Sequence, residues 1–226
     1  MQEDKISTGS PDFNDLIGGG LEKKMITQVY GEPASGKSTI CLMTAIEQLK
    51  AGKKVIYIDT EGFSVERFRQ IAGEENRTLA EDLIIFEPVD FDLQGLMIGE
   101  CDKLLKTDTG IGLIVLDSAT ALYRVEGGRS GESQRKLGSQ MIRLLGFARR
   151  YDIPVLVSNQ VYMNIDQNAV SGLGGTSLRH ISKVIVRLEK KNGLRTAVLE
   201  KHRSKKEGDY LDFIIEEKGI RPISGQ

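Results

Sequence analysis

Five short β-rich apolar runs punctuate the first two thirds of the chain: Met25–Tyr30, Val55–Asp59, Leu83–Phe86, Leu113–Asp117 and Val155–Asn159. Each is bounded by turn residues and apolar almost throughout, the pattern of strands buried on both faces. Helical spacing fills the intervals. Helices are predicted from about Lys37 to Lys50 and from Val65 to Ala72, and Leu93, Leu96, Met97, Leu104 and Leu105 share one helical face. Leu137, Met141, Leu144, Leu145 and Ala148 follow the i, i+4, i+7, i+8, i+11 spacing of a long amphipathic helix. Alternation of this kind predicts an α/β fold with a mainly parallel, twisted sheet flanked by helices. After residue 183 the rhythm changes. Val184–Leu188, Thr196–Lys201 and Leu211–Ile215 alternate polar and apolar residues, separated by Lys190-Lys191-Asn192-Gly193 and by a charged turn at Ser204–Asp209. They predict a C-terminal antiparallel extension with one solvated side. Gly127–Gly131 and Ser171–Gly175 are read as flexible loops.

The 226 residues suit one domain, residues 1–226, and 39% hydrophobic with 28% charged residues excludes a disordered or collagen-like chain. No apolar run approaches the roughly 20 residues of a membrane span, and the N-terminus lacks the basic-then-apolar start of a signal peptide. A cytoplasmic protein that engages no membrane is expected. Cys41 and Cys101 are 60 positions apart, with only His180 and His202 to complete a metal site, so a disulfide framework or zinc site is not expected. The net charge of −1 conceals an asymmetry: residues 183–206 carry nine Lys/Arg against two Asp/Glu. That surplus is either a solvated strand face or a stripe that binds a polyanion.

Gly31-Glu32-Pro33-Ala34-Ser35-Gly36-Lys37-Ser38 matches G-x-x-x-x-G-K-[ST] between a predicted strand and a predicted helix. Backbone N–H groups can curl around a phosphate there, Lys37 can reach β- and γ-oxygens, and the Ser38 hydroxyl can ligate Mg²⁺. Asp117 ends an apolar strand, where its carboxylate can hold Mg²⁺ through water or, alternatively, cap a helix. Glu61, in Asp59-Thr60-Glu61-Gly62, is the candidate base for the attacking water, or else a surface acid before a glycine turn. Asn159-Gln160 opens from a strand end into a loop, so an amide there can bond a γ-phosphate and pass its presence on. A solvated loop amide is the alternative reading.

Taken together, these segments resemble the RecA-type recombinases, in particular the archaeal RadA and RadB group. Ser7-Thr8-Gly9, Leu16–Gly20, Gly31–Ser38, Ile58–Gly62, Leu113–Ser118, Asn159-Gln160, and Gly174-Gly175 with His180 carry the resemblance over nearly the whole length. It implies a RecA-type P-loop ATPase core binding ATP and Mg²⁺ through the phosphate loop and Thr39. By the same resemblance Glu61 is the catalytic carboxylate, Gln160 the nucleotide-sensing amide, His180 a reader of the γ-phosphate, and Arg67 a residue that stacks on adenine.

Departures from the family pattern shape the expected role. Filament-forming recombinases carry an N-terminal helical DNA-binding domain and a docking peptide. Six residues precede Ser7, so no such domain is expected, nor strand exchange by this chain alone. The RadB-like role implied is accessory: DNA repair and homologous recombination, at most a weak, DNA-independent ATPase, assisting a main recombinase of RadA type, with a Holliday junction resolvase as a further candidate partner. DNA, preferably single-stranded, is expected on Lys201, His202, Arg203, Lys205 and Lys206, four permanent cations within six residues plus a histidine able to stack on a base. A solvated hairpin turn is the bland alternative. A competing reading is a KaiC-like regulatory ATPase that acts through protein partners without DNA.

Overall fold

The computed structural model describes residues 5–127, 131–164, 169–173 and 175–223. The chain runs β1 (Lys5–Ile6), α1 (Pro11–Leu16), β2 (Leu21–Glu22), β3 (Ile26–Gly31), α2 (Lys37–Lys50), β4 (Lys54–Asp59), α3 (Val65–Ala72), α4 (Asn76–Ala80), β5 (Leu83–Phe86), α5 (Phe91–Thr107) and β6 (Ile111–Asp117). It continues through α6 (Ala121–Val125), α7 (Gly131–Tyr151), β7 (Val155–Asn159), β8 (Val161–Asn164), β9 (Ala169–Gly172), α8 (Gly175–Ile181), β10 (Val184–Lys191), β11 (Leu194–Lys201), β12 (Tyr210–Glu216) and β13 (Gly219–Pro222). Nine strands form one sheet in the order β13-β12-β11-β10-β3-β7-β6-β4-β5. From β10 to β5 the pairing is parallel; β11, β12 and β13 add antiparallel.

Two cores form because successive strand residues point to opposite faces. Val55 and Tyr57 of β4, with Leu113 and Val115 of β6, pack beneath α1, α2 and α3. Their neighbours Ile56, Ile58, Ile114 and Leu116 pack against α5, α7 and α8. Burial on both sides is what made these strands read as unbroken apolar runs.

The extension begins one strand later than the sequence predicts. β10 pairs parallel with β3, Val184 opposite Thr27. A parallel return needs a crossover element, and α8 supplies it, starting at the last residue of the segment read as a glycine loop. That loop reading is corrected in part: Ser171 and Gly172 end β9, which pairs antiparallel with β8, and Gly175 starts α8. Gly131 likewise starts α7, while residues 128–130 and 174 lie outside the described residues. The β10–β11 turn is as predicted: Asn192 and Gly193 both take positive φ, 50° and 82°, the requirement of a two-residue hairpin. Cys41 and Cys101 are buried and free. Among the described residues no cluster of His, Cys, Asp or Glu could hold a metal by itself, and no helix is long and apolar enough to cross a membrane.

Candidate nucleotide site

Parallel strands deliver their last residues to one edge, and Gly31, Asp59, Asp117 and Asn159 all end strands there. The loop from Gly31 to Gly36 hands β3 over to α2. A Cβ at Gly31 would lie 2.3 Å from the Leu188 carbonyl oxygen, so only glycine fits beside β10. Gly36 has φ 107° and caps α2 without a side-chain hydrogen bond, which leaves the helix's first N–H groups open. The buried hydroxyl of Ser35 has no hydrogen-bond partner among the described residues. Lys37 folds its ammonium back onto the loop, donating to Gly31 O at 3.0 Å and Glu32 O at 2.9 Å. Burial lowers its pKa, and the negative charges of Glu61 and Asp117 oppose that shift. Arg195 of β11, which the sequence did not single out, donates to Ala34 O at 3.2 Å and pins the tip of the loop.

Asp117 is 4% exposed, and burial raises its pKa. Hydrogen bonds from Ser158, Tyr57 (2.9 Å) and Ser38 favour the ionised form and work against that shift. Three donors on one buried carboxylate fix its orientation toward the first turn of α2. Tyr57 and Ser158 went unnoticed in the sequence, although a serine directly after the apolar run Val155–Val157 of β7 was a signal. Glu61 Oε1 accepts a hydrogen bond from Gln160 Nε2 at 2.9 Å, across 99 residues of chain. The other end of that amide, Oε1, is buried and has no hydrogen-bond partner among the described residues. Asn159 accepts from Thr120 Oγ1 at 2.6 Å and donates to Leu173 O at 2.7 Å, tying the strand end to the segment after β9.

Asp59 supplies a pH signature. Burial pushes its carboxyl up to about 6, partly offset by the 2.6 Å hydrogen bond from Gly62 N. A raised carboxyl stabilises the fold fully below the unfolded value near 4, and that contribution is lost as pH rises through about 6. Asp59→Asn is therefore expected to be more stable than wild type at pH 8, on the order of 2 kcal/mol, with the gap closing between about pH 6 and pH 4. Urea unfolding at the two pH values reads it; a gap that widens toward low pH would contradict the assignment.

Two further residues expected at the site are His180 and Arg67. His180 is exposed on α8, whose C-terminal carbonyls are capped by Lys201 Nζ, at 2.6 Å from Arg179 O and 2.8 Å from Ser182 O. Lys201→Met is expected to raise amide exchange in residues 175–181 about tenfold; unchanged protection would show that the clasp contributes nothing. Arg67 donates to the carbonyls of Glu216 (2.7 Å) and Glu217 (3.0 Å), so its guanidinium is committed to the β12–β13 turn instead of standing free to stack.

The basic turn requires a larger correction. The His202 side chain is fully buried (0% exposed): one ring nitrogen lies 3.1 Å from Ile17 O, and the other accepts from Ser204 N and Lys205 N. It cannot stack on a base without breaking these contacts. Lys205 bonds Asp15 O at the end of α1, and Lys201 is the α8 clasp. Only Arg203 and Lys206 of the five remain exposed.

A family model described as Rad51 matches residues 3–222. The chain belongs to the Rad51 family. This Rad51-family chain is 59% identical to the DNA repair and recombination protein RadB of Methanoculleus marisnigri, over 99% of its own length and 100% of that protein's. It is 45% identical to the RadB of Methanococcoides burtonii, over 98% and 99%. A solved structure described as a crystal structure of the RadB recombinase superposes with a TM-score of 0.81 at 42% identity, covering 96% of this chain and 99% of that one. The chain is thus an archaeal RadB-type recombinase paralogue with a RecA-type fold. Rad51-family proteins bind ATP with Mg²⁺. Here the open N–H groups of α2, the unpartnered Ser35 hydroxyl, the self-bonded Lys37 and the Ser38–Asp117 pair form a donor set that fits a triphosphate and its metal.

Proposed function

We propose that the chain is an accessory DNA repair and homologous recombination ATPase, a single RecA-like core that binds ATP·Mg²⁺ and DNA and assists a RadA-type recombinase. The observation that carries this reading is the meeting, at one sheet edge, of Lys37 on its loop carbonyls, Ser38 on Asp117, and Glu61 on Gln160. Residues 31–39 would hold the phosphates, with Ser38 and Asp117 on the metal side. Bound there, Mg²⁺ would neutralise phosphate charge. Lys37 can exchange its two loop carbonyls for phosphate oxygens without leaving the site. Glu61 is the acceptor for the water's proton, and its hydrogen bond to Gln160 competes with that role. The chain alone should therefore turn over slowly.

Steady-state hydrolysis by the purified protein is expected to be slow, to respond little to single-stranded DNA, and to be unaccompanied by strand exchange. Strong stimulation by single-stranded DNA would contradict the reading. One observation favours the alternative of a regulatory ATPase without DNA: three of the five side chains expected on DNA are engaged within the fold. Retention of labelled DNA at low salt separates the two.

A further inference from the structure

The three engaged side chains leave the protein's positive charge to be found elsewhere, and it gathers at the other end of the sheet. A cleft of about 660 Å³ is lined by Lys5, Glu22, Lys23, Lys24, Met25, Arg149 and Arg203. Four separate segments meet there: the β1–β2 pair, the entry to β3, the last turn of α7, and the turn between β11 and β12. β3 has six residues and runs from this pole to the phosphate loop, so about 20 Å of strand separates the two. Five cations face two carboxylates, Glu22 in the lining and Asp152 beside it. Lys23 and Lys24 share Asp152, at 3.7 and 3.3 Å. Lys5 donates to Gly18 O. Arg149 and Arg203 are exposed, and neither has a carboxylate partner among the described residues.

Two exposed guanidinium groups lining one concavity without carboxylate partners among the described residues are not a fold-stabilising arrangement: like charges raise the local potential, and Glu22 and Asp152 offset the five cations only in part. They are what a phosphate backbone requires, since each can take a phosphate oxygen bidentately. Among the described residues no aromatic side chain lines the cleft, so a base finds no stacking platform in them. We infer that this cleft, and not the turn by itself, is the surface that grips nucleic acid, holding the sugar–phosphate backbone of DNA between Arg149 and Arg203 independently of sequence. The inference rests on the proposed DNA binding and locates it at the pole opposite the nucleotide. Burying His202 and tying down Lys205 then has a purpose: they hold the turn rigidly on α1 so that Arg203 faces the cleft.

The experiment is fluorescence anisotropy of a labelled oligo-dT of about 30 nucleotides across a NaCl series, with wild type, Arg149→Glu, Arg203→Glu and their double variant. Arg149 is remote in sequence from the turn, so binding by the turn alone would leave Arg149→Glu like wild type. The cleft requires each single variant to lose at least about fivefold in affinity near 0.1 M salt, and the double variant to lower the log–log salt slope by one to two. Lys190→Glu/Lys191→Glu, which reverses two exposed charges at the opposite pole, serves as the positional control and is expected to stay within about twofold of wild type. Wild-type Arg149→Glu binding, or an equal loss in the control, overturns this inference while leaving DNA binding intact. Failure of wild type to retain DNA even at low salt would overturn the DNA reading itself.

Discussion

Lys37→Ala is expected to lower ATP affinity at least about 100-fold, close to 3 kcal/mol. The lysine brings a positive charge into the curl of the loop, and burial already depresses its pKa. In that setting an ammonium–phosphate contact is charge-assisted and poorly replaced by water. Its present partners are two backbone carbonyls, Gly31 O and Glu32 O, which solvent can satisfy once the side chain is gone. Thermal stability should fall only modestly, so the loss would be read as lost binding and not as unfolding. Calorimetric titration with a non-hydrolysable ATP analogue measures it. Wild-type affinity in a folded Lys37→Ala protein would mean that the triphosphate is held elsewhere.

Phe213→Ala is the largest expected effect on stability, a loss of about 3–5 kcal/mol. Phe213 is 0% exposed in β12 and belongs to the core beneath α2. It also touches the phosphate loop: a Cβ at Gly36 would lie 3.3 Å from the Phe213 ring and 3.4 Å from Ile215 Cδ1. Truncating the ring therefore opens a cavity under the residue whose left-handed conformation starts α2. Two readouts should move together, the urea midpoint and, in whatever fraction remains folded at low temperature, nucleotide affinity. A large stability loss with unchanged nucleotide binding would show that the C-terminal strands do not support the loop.

Much of this arrangement was legible in the chain because strands buried on both faces leave continuous apolar runs. α3, β5, β7 and α2 fall where the sequence predicts them. The elements that went unread are short. α1 has six residues and α8 seven, too few turns for a periodicity to emerge against glycine-rich surroundings. Missing α8 also hid the crossover that makes β10 parallel. At the site, residues with chemistry in their own motif were found, whereas Tyr57, Ser158 and Arg195 matter only through what folding brings beside them. The basic turn is less free than its composition suggests, for the converse reason. Composition counts charges, but it does not reveal that carbonyls at the ends of α1 and α8 will claim Lys201, His202 and Lys205.

The central claim is that a triphosphate and its metal are held between residues 31–38 and Asp117. Binding of a non-hydrolysable ATP analogue, titrated with and without Mg²⁺ in wild type and in Asp117→Asn, tests it most directly. One molecule per chain is expected to bind wild type, with affinity raised at least about tenfold by Mg²⁺, and Asp117→Asn is expected to lose that increment while keeping the metal-free affinity. No binding by wild type, or an undiminished Mg²⁺ increment in Asp117→Asn, would contradict it.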